Sequence, residues 1–279
     1  MRDVLISPLD LAEMLLGTPP VVLDVRWQLG DFDGRAAYRE GHIPGAVYVD
    51  LDTELAAPPS GPVGGRHPLP APADLQEAAR RWGINDGVPV VVYDDSGNLA
   101  AARAWWLLRW AGVADVRLLD GGLAAWRGEG LRTTTGDGGT PRAGRVTLTP
   151  DRLPVATIDD VASGPAHLLD ARATERYRGD VEPVDPRAGH IPGAVSAPTA
   201  DNIDATGRFR PADDLRRRFA GLGVDAEAGD VVVYCGSGIN AAHQIAALAI
   251  AGIDATLFPG SFSQWSSDPD RPVAAGDQP

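Results

Sequence analysis

Val231-Val232-Val233-Tyr234-Cys235-Gly236-Ser237-Gly238-Ile239-Asn240-Ala241-Ala242 is the stretch on which the reading of the chain turns. Its apolar, β-branched start has the length and composition of a buried strand. Two glycines surround the next positions, and an amphipathic helical pattern follows. Cys235 therefore stands between the carboxyl end of a strand and the start of a helix. Backbone N–H groups and the positive end of the helix favour an anionic sulfur there. It is the one cysteine among 279 residues. The setting points to a sulfur nucleophile, against the plainer alternative of a free cysteine packed as a small hydrophobe.

The strand has a twin. Val90-Val91-Val92-Tyr93-Asp94 matches Val231 to Cys235 at an offset of 141. Working outward, Val22-Leu23-Asp24-Val25-Arg26 corresponds to Leu168-Leu169-Asp170-Ala171-Arg172 at an offset of 146. Gly41-His42-Ile43-Pro44-Gly45-Ala46-Val47 recurs from Gly189 to Val195 at 148, and Gly121 with Trp126 is echoed by Gly260 with Trp265 at 139. Four blocks in one order at nearly one spacing identify a duplicated unit. A stretch rich in Gly, Thr, Pro and Arg separates the copies and reads as linker. The resulting division is an N-terminal domain over 1–135, a linker over 136–154 and a C-terminal domain over 155–279.

Within the first copy, Ser7-Pro8 has the cap-then-proline signature of a helix start leading through Leu9 to Leu16. Strands are expected at Val21 to Val25, Ala46 to Val49, Val90 to Tyr93 and Val116 to Leu119. Helices are expected at about Ala73 to Trp82, Ala100 to Ala111 and in a last short segment. Continuous apolar strands alternating with helices predict an α/β fold, each domain a parallel-sheet core with helices on both faces. Ligands gather at the carboxyl ends of strands in such sheets, which is where Cys235 lies.

Composition narrows the function. Hydrophobic residues make up 44% and charged residues 23% of the chain, as in globular proteins. No stretch has the length of a membrane span, and the N-terminus lacks a long apolar region followed by a cleavage site, so a cytoplasmic location is expected. One cysteine allows no intrachain disulfide and no multi-cysteine metal site; no cofactor is implied. The net charge of −13 disfavours a nucleic-acid partner. All 25 basic side chains counted as Lys or Arg are arginine. Any anionic substrate must then be held by arginine or backbone N–H groups, and lysine Schiff-base chemistry is ruled out.

The paired Gly-His-Ile-Pro-Gly-Ala blocks, the Asp-x-Arg blocks, the duplication and the strand–Cys-Gly-Ser-Gly–helix loop together resemble the tandem rhodanese-domain sulfurtransferases. The resemblance covers nearly the whole chain. Cys235-Gly236-Ser237-Gly238-Ile239-Asn240-Ala241 is closest to the Cys-Gly-Ser-Gly-Val-Thr-Ala loop of the 3-mercaptopyruvate branch, with Asn240 in place of the usual Thr. Thiosulfate sulfurtransferases typically carry a Cys-Arg-Lys-Gly-type loop.

The resemblance implies covalent catalysis in which the Cys235 thiolate takes a sulfur from a donor and passes it, as a persulfide, to a thiol, cyanide or a thioredoxin-like acceptor. Gly236 and Gly238 would let backbone N–H groups converge on the sulfur, with Ile239 and Asn240 completing the substrate loop. Ser237 would bond donor or thiolate, or serve as a helix cap. Arg176 matches the family's substrate-binding arginine, and Arg187 is the nearest candidate for a second. His67, in Arg66-His67-Pro68-Leu69-Pro70, and Asp52 match residues proposed to relay a proton with the loop serine.

His42 and His190 occur in both copies, one of which has no cysteine, and are expected to be structural; Arg172, with its twin Arg26, is expected in a structural ion pair. Asp94 stands where Cys235 does, so the N-terminal domain is expected to be inactive and to help shape the cleft. Trp105 and Trp106 are read either as core or as part of an apolar interdomain face. Three rivals remain at this point: a thiosulfate sulfurtransferase, a sulfur-relay or redox binding module without turnover, and a phosphatase. The last lacks its arginine, since Ala241 stands six residues past the cysteine.

Overall fold

Both Val-Val-Val-Tyr runs form interior strands of parallel sheets in the structure, a computed structural model that describes residues 4–30 and 33–279. In chain order the first copy contains β1 (Leu5–Ile6), α1 (Pro8–Leu16), β2 (Val21–Val25), α2 (Gly34–Glu40), β3 (Val47–Val49), α3 (Leu51–Glu54), α4 (Pro72–Arg81), β4 (Val90–Tyr93), α5 (Ala101–Trp110), β5 (Val116–Leu119) and α6 (Gly122–Gly128). The second contains α7 (Ile158–Ala162), β6 (His167–Asp170), α8 (Thr174–Arg178), β7 (Ala194–Ser196), a 3-10 turn at Thr199–Asn202, α9 (Ala212–Gly221), β8 (Val231–Tyr234), α10 (Ile239–Ala251), β9 (Thr256–Leu257) and α11 (Ser261–Ser267).

Among the described residues the first sheet runs β1-β5-β4-β2-β3 and the second β7-β6-β8-β9, every pairing parallel. Reversing the second order gives the first, with a single parallel bridge from Val155 to Leu257 where β1 would stand. The duplication read from sequence is thus a duplication of topology. The expected α/β architecture of two rhodanese-type domains is the observed one.

Local chemistry accounts for the element ends. Ser7 accepts the Asp10 N–H at 3.1 Å, and Pro8 opens α1. The short β1, α2 and α3 were not evident from periodicity, because two to seven residues carry too little pattern. Each sheet buries an equivalent core. Ile6, Leu11, Val22, Val91 and Leu123 pack in one. Leu168, Val232, Phe258, Phe262 and Trp265 pack in the other.

Twin polar contacts fasten the repeated motifs. Tyr93 Oη accepts the Ile43 N–H at 3.0 Å, as Tyr234 Oη accepts that of Ile191 at 3.2 Å. His42 stacks on Tyr38 and His190 on Tyr177, with ring centroids 3.8 and 3.7 Å apart. Both histidines are fully buried and bond the carbonyl of the tyrosine they stack on, a structural use in each copy. Trp105 and Trp106 are both buried.

The chain divides into two compact units: Met1–Ala57, Pro70–Arg152 and Asp204–Phe209 in the first, and Pro58–Leu69, Leu153–Ile203 and Arg210–Pro279 in the second. The segment read as linker belongs largely to the first unit, and its backbone is tied down. The N–H groups of Gly144 and Val146 reach the carbonyls of Arg80 and Ile84, and those of Thr149 and Arg152 reach Ala111 and Trp110. Irregular sequence here reflects hydrogen bonding outside any ladder rather than a free tether. The short segment Pro58–Leu69 carries His67 into the second unit.

Candidate active site

Cys235 directly follows β8 and precedes α10, the placement its flanking sequence predicts. Its Sγ accepts the Gly238 N–H at 3.1 Å, and the residue is 3% exposed. Gly238 has φ +82°, a left-handed conformation that costs a residue with a Cβ about 1–2 kcal/mol. That turn directs the N–H back at the sulfur and opens the thirteen-residue α10 behind it. Both features turn backbone N–H dipoles toward the sulfur. The Cys235 backbone is held from the other side as well. Its N–H donates to Ser261 Oγ at 3.2 Å, and its carbonyl accepts the Phe262 N–H at 2.9 Å.

Ser237 does not act as a side-chain cap of α10. Its Oγ lies 2.7 Å from His67 Nδ1, so two residues paired in the sequence reading do meet. The segment carrying His67 is fixed at the backbone: the Arg66 N–H donates to Ser263 Oγ at 3.1 Å, and Gln264 Nε2 donates to the Val63 carbonyl at 2.8 Å. Gly65, at φ +79°, must be glycine, since a Cβ would come 2.5 Å from Ser263 Oγ and 2.6 Å from the Gly260 carbonyl. Asp52 lies in the first unit, exposed on α3, where its carboxylate accepts the Trp27 Nε1–H at 2.9 Å.

Two guanidinium groups approach the loop at Gly236. A Cβ there would stand 2.9 Å from Arg66 Nη2 and 3.4 Å from Arg176 Nη1. Arg176 was expected; Arg66 was not, because nothing in a linear string tells which way a loop side chain turns. Asp185 pairs with both, its Oδ1 with Arg66 Nη1 and its Oδ2 with Arg176 Nη2 at 3.0 Å. Glu182 takes Arg176 Nη2 at 2.7 Å and also accepts the N–H groups of Val184 and Asp185. Burial works to raise the Glu182 carboxyl, but those two N–H donors and Arg176 prevail and hold it below the usual range. Burial, against the pull of Arg66, pushes the Asp185 carboxyl up.

Arg187, the second substrate arginine expected from sequence, is placed otherwise. It donates to the carbonyls of Ser266, Arg271, Trp265 and Asp268 at 2.6–3.0 Å, closing the C-terminal end of α11. Four of its five N–H groups are engaged there. The free carbonyls of a helix end engage this planar cation. Arg172 sits in the expected ion pair, with Asp170 at 2.6 Å, and donates to the Gly189 carbonyl at 2.7 Å. Arg26 repeats both contacts with Asp24 and Gly41. Ile239 is buried and Asn240 half-buried in the first turn of α10.

At the position equivalent to Cys235, Asp94 is fully buried. Its carboxylate accepts the N–H groups of Ser96, Asn98, Ala100 and Ala101 at 2.7–3.0 Å. The first copy thus fills its own N–H cradle with a buried carboxyl group and has no cysteine there. Among the described residues no group of three His, Cys, Asp or Glu side chains is disposed to hold a metal ion, and no helix is long and apolar enough to cross a membrane.

A family model described as Rhodanese-like domain matches residues 7–129 and 156–268. A Mycobacterium tuberculosis protein named as thiosulfate sulfurtransferase SseB is 50% identical over 280 residues, covering 98% of each chain. A Pseudomonas aeruginosa protein named as 3-mercaptopyruvate sulfurtransferase is 46% identical over the same length and coverage. The crystal structure of SseA from Escherichia coli, described as a 3-mercaptopyruvate sulfotransferase, superposes with a TM-score of 0.81 at 31% identity, over 94% of this chain and 99% of that one. A buried cysteine in a strand-to-helix N–H cradle, present in one copy and replaced in its twin, agrees with these relationships: the chain belongs to the rhodanese family and is a tandem-domain sulfurtransferase enzyme.

Proposed function

We propose that the enzyme takes its sulfur from 3-mercaptopyruvate through a persulfide on Cys235. The observation that carries this reading is the 2.7 Å contact between Ser237 Oγ and His67 Nδ1 beside the cysteine loop. The Cys235 thiolate attacks the thiol sulfur of the donor. An S–S bond forms as the C–S bond breaks, and the electron pair of that bond leaves on carbon as the enolate of pyruvate. The donor's thiol proton passes through Ser237 and His67 to that carbon, leaving Cys235 as the persulfide anion. Breaking the S–S bond of thiosulfate releases sulfite, which needs no proton on carbon. A serine–histidine pair at the loop therefore has work to do with the first donor and none with the second.

Arg176 would bind the donor carboxylate, with the backbone of Gly236, Gly238, Ile239 and Asn240 around the sulfur. We place Arg187 outside this set, as a support for α11. In the second half-reaction an external thiolate, cyanide or a thioredoxin-type protein attacks the outer sulfur and restores the Cys235 thiolate. The relatives' names divide between the two donors at similar identity. The deciding measurement is kcat/KM of the purified protein for 3-mercaptopyruvate and for thiosulfate. The first should be larger, with pyruvate formed and one sulfur gained on Cys235 by intact mass. A larger value for thiosulfate would overturn the donor assignment.

A further inference from the structure

Neither guanidinium at the Cys235 loop is a bare cation. Asp185, its side chain 1% exposed, lies between Arg66 and Arg176 and pairs with each. Glu182, 4% exposed, occupies Arg176 through Nη2 at 2.7 Å and Nε at 3.3 Å. The turn carrying Asp185 is held in turn by Glu182, whose Oε1 accepts the Val184 and Asp185 N–H groups at 3.1 and 2.9 Å. The backbone that presents Asp185 is thereby fixed. Two arginines and two carboxylates leave these four groups with no net charge, and the Gly236-Ser237-Gly238-Ile239-Asn240 loop adds none.

We propose that Asp185 is a specificity-determining residue: by neutralising the arginines at the Cys235 loop it selects a singly charged sulfur donor over a doubly charged one. The inference rests on the reading of Cys235 as the sulfur-accepting centre. A carboxylate fixed this close to a donor site opposes each negative charge the donor carries. A dianion such as thiosulfate meets that opposition twice, and a monoanion such as 3-mercaptopyruvate once. The penalty is paired with a gain, because the same carboxylate aligns both guanidinium groups toward Gly236.

The test is the ratio of kcat/KM for thiosulfate to that for 3-mercaptopyruvate in D185N and R66Q. Removing the carboxylate should raise the ratio by about tenfold or more, the size of one elementary charge acting over roughly 10 Å near a protein surface. Removing the Arg66 cation should lower it by a similar factor, which keeps the test decisive if D185N does not fold. A merely structural role for Asp185 would slow both donors equally. An unchanged ratio in D185N, or a ratio that rises in R66Q, overturns the inference. A preference of the unaltered enzyme for thiosulfate would instead overturn the donor assignment, while leaving the two shifts and their directions intact.

Discussion

Ser237 Oγ and His67 Nδ1 are 2.7 Å apart although 170 positions separate them in the chain. The serine stands on the cysteine loop and the histidine on the segment Pro58–Leu69, which belongs to the same compact unit. If the pair moves one proton, the two residues act as one device. S237A and H67Q should each lower kcat with 3-mercaptopyruvate by about 10²-fold, and the double variant should be scarcely slower than either. A double-mutant cycle on kcat checks this; losses that multiply would mean that the two residues work separately.

Cys235 and Asp94 occupy equivalent positions, and we assign them opposite duties. C235S should abolish sulfur transfer and leave the melting temperature nearly unchanged, because a hydroxyl replaces a thiol of similar size. D94A should do the reverse. It leaves four N–H groups, three of them buried, without their acceptor, a loss of roughly 3 kcal/mol or more. Urea unfolding of both variants, with activity measured on the folded protein, distinguishes the two roles. A stable D94A protein would show that the cradle needs no anion.

Arg187 provides a contrast with Arg176. R187A strips the carbonyls at the end of α11 of their donor and should cost roughly 2 kcal/mol of stability. The KM for the donor should change by less than a factor of about three, within the range of surface effects. R176A removes a cation at the cysteine loop, and its KM should rise by about tenfold or more. Steady-state kinetics and thermal unfolding of the two variants are sufficient. A KM effect in R187A as large as that in R176A would return Arg187 to the substrate.

Glu182 makes stability depend on pH in a defined direction. Its carboxyl is held below the ordinary value of 4.5 in the folded protein. A depressed carboxyl contributes stability that is fully present above the unfolded value and is lost as pH falls through the folded one. E182Q should therefore be less stable than the unaltered enzyme above about pH 5, and the gap should narrow as pH falls below the ordinary value of 4.5. Melting temperatures across that range measure it. A gap that persists unchanged in acid would mean that the loss is steric rather than electrostatic.

Much of this was legible in the linear chain, for a reason particular to parallel sheets. Val90–Tyr93 and Val231–Tyr234 are buried on both faces, so their composition alone announces them. A glycine-flanked cysteine following such a strand marks a nucleophile's position without reference to anything distant. The repeated His-Ile-Pro-Gly-Ala and Asp-x-Arg blocks were readable as structural because the copy holding Asp94 keeps them. Short elements such as β1 and α3 were not legible, since they depend on the neighbours they pack against and not on a period of their own.

The sequence by itself determined the duplication, the α/β architecture and the placement of one cysteine opposite Asp94 in the twin copy, all of which rest on local pattern or on comparing the chain with itself. Tertiary structure alone decided the directions of the long polar side chains. Arg66 turns to the Cys235 loop, Arg187 turns to the end of α11, and Asp185 lies between the two guanidinium groups that approach Gly236. The physical reason is reach: an arginine can serve any carboxylate or free carbonyl within several ångströms of its backbone, and only the fold determines which of them is there.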